Sequence, residues 1–260
     1  MNTYYFENYE VTELSYFKYK NLVKNLFTND IKILSKTFNN LFEENVKDGD
    51  LLDIKEKIKI LFFIRSLTLG ENISLNVNDK TYNLDTNNLI ENLNVYFEED
   101  YIEIDSLTFK NINSLYVNNL HFEITKNLTH IKINNVKKDI SNFSIDEKFK
   151  ILNEMTEGNL SKIYKHILSN LNKNHLKILD MELNLHNGEI INFFKAIFDL
   201  NLSELYNLEY FLIKNLNLSS IDFKNYSFSE LKILMNKVIE DHEKENNTDK
   251  NNAGNQQQQF

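Results

Sequence analysis

At 260 residues, 42% of them hydrophobic, the chain is long enough to bury one large core or two small ones. A formal net charge of −9 argues against a nucleic-acid or anionic-membrane surface, because phosphate is bound by clustered cations. With no Cys there are no disulfides and no thiolate metal sites, which fits a reducing compartment.

No apolar run approaches membrane-spanning length. The opening residues, Met1 to Glu7, lack the basic region and hydrophobic core of a signal peptide. The expectation is a soluble protein made in a cytosol. The composition leans to Asn, Lys, Ile, Phe and Tyr, the bias of an AT-rich genome.

Residues 1 to 9, aromatic and acidic, are expected to lie extended against the body. A first helix is expected to open at Val11-Thr12-Glu13-Leu14 with Thr12 as its N-cap, because Tyr16, Tyr19, Leu22, Val23, Leu26 and Phe27 recur at helical spacing. A second starts at about Asp30, with Ile31, Leu34, Phe38, Leu41 and Phe42 on one face. Asp48-Gly49-Asp50 breaks the chain, and a third helix runs from Asp53. Its apolar positions Ile54, Ile58, Leu61, Phe62, Ile64 and Leu67 make a wide stripe that calls for burial on most sides. Gly70 supplies the permissive backbone that ends it, followed by Glu71.

Arg65, in that third helix, is the only arginine of the chain. A planar fork in apolar surroundings suits the satisfaction of carbonyls or a carboxylate, work for which a lysine point charge is badly shaped. A structural clamp at the helix end is therefore expected, with direct partner contact as the alternative.

From Asn72 to about Asn135 the period changes to two. Ile73, Leu75 and Val77 alternate, and Asn78-Asp79 turns into Thr81–Leu84, a hairpin. A short helix is possible at 89–93. Strands are expected at 101–104, 107–109, 120–124 and 129–133. Glu98, Glu99, Asp100, Glu103 and Asp105 form the most acidic spot, read as a solvated strand edge rather than an acid–base pair.

Helices return at Phe143. Ser144 with Glu147 three residues on is a capping box, and Phe149, Leu152 and Met155 are expected to be buried. Leu160, Ile163, Tyr164, Ile167, Leu168 and Leu171 carry a second helix. A β-like run, 176–185, leads to the turn His186-Asn187-Gly188, where an exposed imidazole is expected. A helix opens at Ile190, and another spans 202–213 with Ser203 as its cap. The last helix, from Ser227, is expected to end near Glu240, before an Asn/Gln-rich tail unable to order itself.

The resulting fold class is α+β: N-terminal helices, a β-rich middle of short antiparallel strands, and C-terminal helices with one further hairpin. The expected layout is 1–70 helical, 71–200 a mixed core, 201–243 a helical pair and 244–260 a disordered tail.

Three motifs carry a resemblance. Arg65-Ser66-Leu67-Thr68-Leu69-Gly70-Glu71 resembles a helix ending Arg-x-x-Ser-x-Gly-Glu, with Thr68 in place of the Ser. Val11 to Lys18 is similar to the family's helix opening. Met155-Thr156, Leu160-x-x-Ile163, the strand, Gly188 and Phe193-Phe194 follow the family's order and spacing. The family is that of the baseplate hub assembly proteins of T-even-type contractile-tailed phages, and the similarity runs, with gaps, from about residue 11 to 240. Relatives carry Cys pairs in two hairpin turns, where this chain has Val77-Asn78-Asp79-Lys80 and His186-Asn187-Gly188-Glu189, so a metal role does not carry over.

The resemblance implies a non-enzymatic protein with no cofactor that builds the baseplate hub, as chaperone or minor structural component. Its implied place is the host cytoplasm during assembly or the virion tail, and its partners are hub or tape-measure proteins or a second copy. No catalytic residue transfers. The expected partner surface is the C-terminal helical pair, residues 202–240, with Leu205, Leu208, Tyr210 and Phe211 foremost, because the apolar groups of its first helix lie on more than one side. The rival readings are a host-directed binding protein and a hydrolase using the acidic middle.

Overall fold

The computed structural model describes residues 2–28, 30–49, 52–77, 80–96, 101–112, 114–178, 181–198, 202–219 and 222–255, and the fold is α+β. The N-terminal stretch forms a hairpin rather than a helix start. β1 (Thr3–Phe6) pairs with β2 (Tyr9–Thr12), and Glu7 takes a left-handed conformation in the tight turn between them. Val11 bridges to Val46, and Lys47 N–H donates to Glu10 O at 3.1 Å. This second pairing holds the segment extended, so Thr12 is a strand residue, not the expected N-cap. The cap is Ser15, whose Oγ accepts from Lys18 N–H at the start of α1 (Tyr16–Leu26).

α2 (Ile31–Asn45) begins on Asp30 and α3 (Ile54–Leu69) on Asp53, where Asp53 and Glu56 form a capping box. α3 is buried on several sides, with Ile54, Ile58, Ile60, Leu61, Phe62, Ile64, Arg65 and Thr68 all enclosed. Gly70 ends it at φ +92°, a conformation that favours glycine. β3 (Asn72–Val77) and β4 (Lys80–Asp85) form the expected hairpin, and the expected turn at Asn78-Asp79 lies outside the described residues. α4 (Thr86–Glu91) and β5 (Asn94–Tyr96) follow.

A second core opens here. β6 (Tyr101–Ile104), β7 (Leu107–Lys110), β8 (Leu128–Ile133) and β9 (Val136–Asp139) make an antiparallel sheet in sequence order. The strand expected at 120–124 is helix α5 (Leu120–Asn127), capped by Asn119. Alternation there is coincidental: a strand would put Leu120, Phe122 and Ile124 on one side, whereas Phe122 is exposed and Ile124 buried. α6 (Ile145–Asn153) starts on the Ser144 capping box, and α7 (Glu157–Lys173) starts on Thr156. Leu152, Ile163, Ile167 and Leu171 pack onto Ile102, Leu107, Phe109 and Leu128. Phe149 and Leu168, expected inside, are largely exposed, because each helix has one narrow inward stripe.

The chain then returns to the first core. β10 (His175–Ile178) pairs with both β5 and β11 (Met181–Asn184). α8 (Glu189–Phe198) inserts Phe194 and Phe198 against Phe38. α9 (Leu202–Leu216) already contains Ser203 in its first turn, so that residue is not the cap. α10 (Phe228–Asn255) closes the fold; Ser227 and Glu230 exchange backbone–side-chain bonds at its start. Its backbone stays helical beyond the expected end near Glu240 and into the segment 244–260 expected to be disordered. The run to Lys250 holds no Gly or Pro to break it. Residues 256–260 of that segment lie outside the described ones.

The two cores divide the chain differently from the expected layout. Residues 102–171 supply the second core, except Leu115, which is buried in the first; the first otherwise draws on both flanks, from Val11 to Leu93 and from Leu176 to Leu231. The expected single core at 71–200 is thus shared between them. A hydrophobic pattern tells which face is buried, not which core receives it.

Candidate functional site

Arg65 lies at the last turn but one of α3 and is 7% exposed. Its Nε–H donates to Ile197 O of α8 at 3.2 Å, and Nη1 donates to Gly70 O. The fork thus clamps two carbonyls, tying the end of α3 to α8 as well as to the entry of β3. Burial lowers its pKa, opposed by the nearby Tyr19. Glu71 contributes through its backbone, its carbonyl accepting from Thr86 N–H at 2.9 Å.

Behind this clamp a groove runs between α9 and α10, with a volume of about 380 Å³. Leu205, Leu208, Phe211, Phe228, Met235 and Ile239 form its apolar walls, and Glu204, Asn207 and Lys232 add the polar groups. The Lys232 ammonium lies 4.6 Å from the centroid of the Phe228 ring. Desolvation lowers its pKa, the Arg65 charge lowers it further, and Glu204 opposes both.

The four residues expected to form one partner surface separate here. Leu205 is 1% exposed and Leu208 is also buried, so both belong to the core and the groove floor, not to a partner face. Leu205 O is moreover engaged by Tyr16 Oη–H at 2.6 Å, across from α1. Phe211 sits half-buried at the groove lip, and Tyr210 is 68% exposed. Packing on α1 and α10 claims one side of α9, leaving Tyr210 and Ile213 outward, with Tyr206 covered in part by Lys20 at 4.4 Å.

His186 overturns the expectation of an exposed imidazole. It is 6% exposed, its Nδ1–H donates to Ser114 O at 2.8 Å, and its Nε2 accepts from Asn174 Nδ2–H at 3.2 Å. Both ring nitrogens are satisfied in the neutral form, and burial holds the pKa down at about 4. The segment that covers it, 114–117, follows the second-core strand β7, a long-range contact that local sequence does not announce. Among the described residues no group of His, Asp and Glu is placed to hold a metal ion.

In the acidic middle, Glu98, Glu99 and Asp100 lie outside the described residues. Glu103 is exposed, and the hydrogen bond from Lys137 Nζ at 2.7 Å, aided by that charge, lowers its pKa. Asp105 sits in the β6–β7 turn at φ +53°. No helix among the described residues is long and apolar enough to cross a membrane. No family model, curated protein or solved structure matches the chain.

Proposed function

We propose that this protein is a non-enzymatic binding protein acting in assembly of the central hub of a contractile-tailed phage baseplate, as a chaperone or minor structural component. The resemblance from residue 11 to 240 supplies the context. The observation that carries the binding role is the outward stripe of α9, where Tyr210 and Ile213 stand exposed one turn apart beside the half-buried Phe211. An amphipathic tyrosine next to an aliphatic group suits an interface that is wet before docking and dry after it. The partners are hub or tape-measure proteins, met in the host cytoplasm.

The test is capture of identified tail proteins from infected cells by tagged wild type and by the double variant Tyr210→Asp, Ile213→Asp. Both positions are exposed, so the variant keeps its fold, as circular dichroism will verify. Hub or tape-measure proteins held by the wild type and lost by the variant support the reading. Equal capture by both moves the surface elsewhere, and capture of no tail protein by the wild type refutes the assembly role.

A further inference from the structure

The groove between α9 and α10 has a direction. Lys232, Glu204 and the first turns of both helices lie at one end, and Asn215 of α9 meets His242 of α10 at 3.3 Å beyond the other. The two helices therefore run parallel, with their N-termini and their positive dipole ends together. At that end stand two cations, Lys232 and, behind it, Arg65. Arg65 is held by carbonyls, and among the described residues neither cation has a carboxylate within ion-pair distance. Of the nearby acids, Glu230 is engaged with the Ser227 N–H at 2.8 Å, leaving Glu204 as the counter-charge. Apart from Asn207, the rest of the groove is hydrocarbon and aromatic.

We propose that this groove binds a medium-chain fatty acid, with the carboxylate at Lys232 and the chain along Leu208, Phe211, Met235 and Ile239. The volume lies within the range of small-ligand pockets, which are mostly apolar with a few polar groups to fix orientation. From Lys232 to Ile239 the helix rises about 10 Å, the reach of an extended chain of about eight to ten carbons. The lining takes in only two turns of α9, from Glu204 to Phe211, so it is matched to a single chain rather than to a long docked helix. The Lys232 ammonium, held at the Phe228 ring, is the group that a carboxylate meets on entering. This site shares Phe211 with the edge of the Tyr210–Ile213 stripe but does not rest on the assembly reading.

The chain has no Trp, which permits a clean reporter. Ile239→Trp places a fluorophore at the apolar end, and Tyr5→Trp places one on the distant N-terminal hairpin. Saturable quenching of the first and not the second by ω-bromodecanoate is the expected result. Calorimetry of the unaltered chain with decanoate should show one site per chain. Lys232→Gln should weaken decanoate by about 10-fold or more, the loss of one charge-assisted contact, and leave decanol within about 2-fold. Absence of calorimetric binding up to about 1 mM overturns the proposal. So do equal quenching of both reporters and a Lys232→Gln effect that is absent or as large for decanol.

Discussion

His186 gives the sharpest physical test of the fold. In the unfolded chain its imidazole titrates near the ordinary value of 6.5, whereas in the fold burial holds it down at about 4. Above pH 6.5 neither state takes the proton, and His186 adds no pH dependence. As the pH falls from 6.5 towards 4 only the unfolded state binds it, so stability is lost across that window and the loss levels off below 4. A separation of about 2.5 units at about 1.4 kcal/mol each makes the full loss roughly 3 kcal/mol. His186→Asn retains an amide donor for Ser114 O and removes the titration. Urea unfolding of wild type and variant at steps between pH 7.5 and pH 4 isolates the effect, because the carboxylates common to both cancel in the difference. The wild type should lose roughly 3 kcal/mol more than the variant over that range. Parallel stability curves would refute the reasoning and place the imidazole in contact with water.

Arg65→Lys should cost about 1–3 kcal/mol in urea unfolding, because an ammonium cannot reach both Ile197 O and Gly70 O; unchanged melting would sink the clamp. Gly70→Ala should cost about 1 kcal/mol from its positive φ alone, since a Cβ there meets no neighbour, and a neutral result would dispute the backbone conformation. Ser144→Ala removes the acceptor for Glu147 N–H and should cost about 1 kcal/mol, read as a shift in urea midpoint at unchanged slope. Leu212→Ala, in the enclosed face of α9, should cost about 2–5 kcal/mol, whereas Tyr210→Ala should change stability by less than about 0.5 kcal/mol.

Three of the helices that begin on a side-chain cap were legible. Asp30, Asp53 and Ser144 each announce a start, because an oxygen acceptor before a periodic apolar run is a local signal for local geometry. Arg65 was legible too, since a lone fork among apolar neighbours has few uses, although its partner Ile197 lies 132 residues away. The failures arise where pairing is non-local. Thr12 reads as a cap until Val46 crosses over to extend the chain, and Leu120–Ile124 alternates as a strand would while packing as a helix. β9 is exposed throughout, so it had no alternation to read; its signal was Asn134-Asn135, both at positive φ, a pair that favours a tight hairpin turn. Leu205 and Leu208 show the same limit at the candidate site. Apolar groups around a helix reveal that burial is needed, and only the fold tells which side α1 and α10 cover.

The division into two cores changes what the buried polar groups mean. The chain leaves the first core after β5 and returns at β10, so the second core hangs on two crossings. Between those crossings Leu115 is buried in the first core with Tyr116 packed beside it, and a polar seam surrounds this apolar plug. Val117 N–H donates to His186 O at 3.3 Å, Tyr116 bridges to Asn187, and Asn174 Nδ2 approaches Asn111 Oδ1 at 3.5 Å. Apolar contact would fuse the cores through any register that buries the same area; hydrogen bonds with fixed donors and acceptors accept one register only. His186 is the member of this seam that combines full satisfaction with a titratable ring. The acid loss worked out above therefore falls on the joint between the cores, while the Arg65 clamp and the α9–α10 groove belong wholly to the first core and stay clear of it.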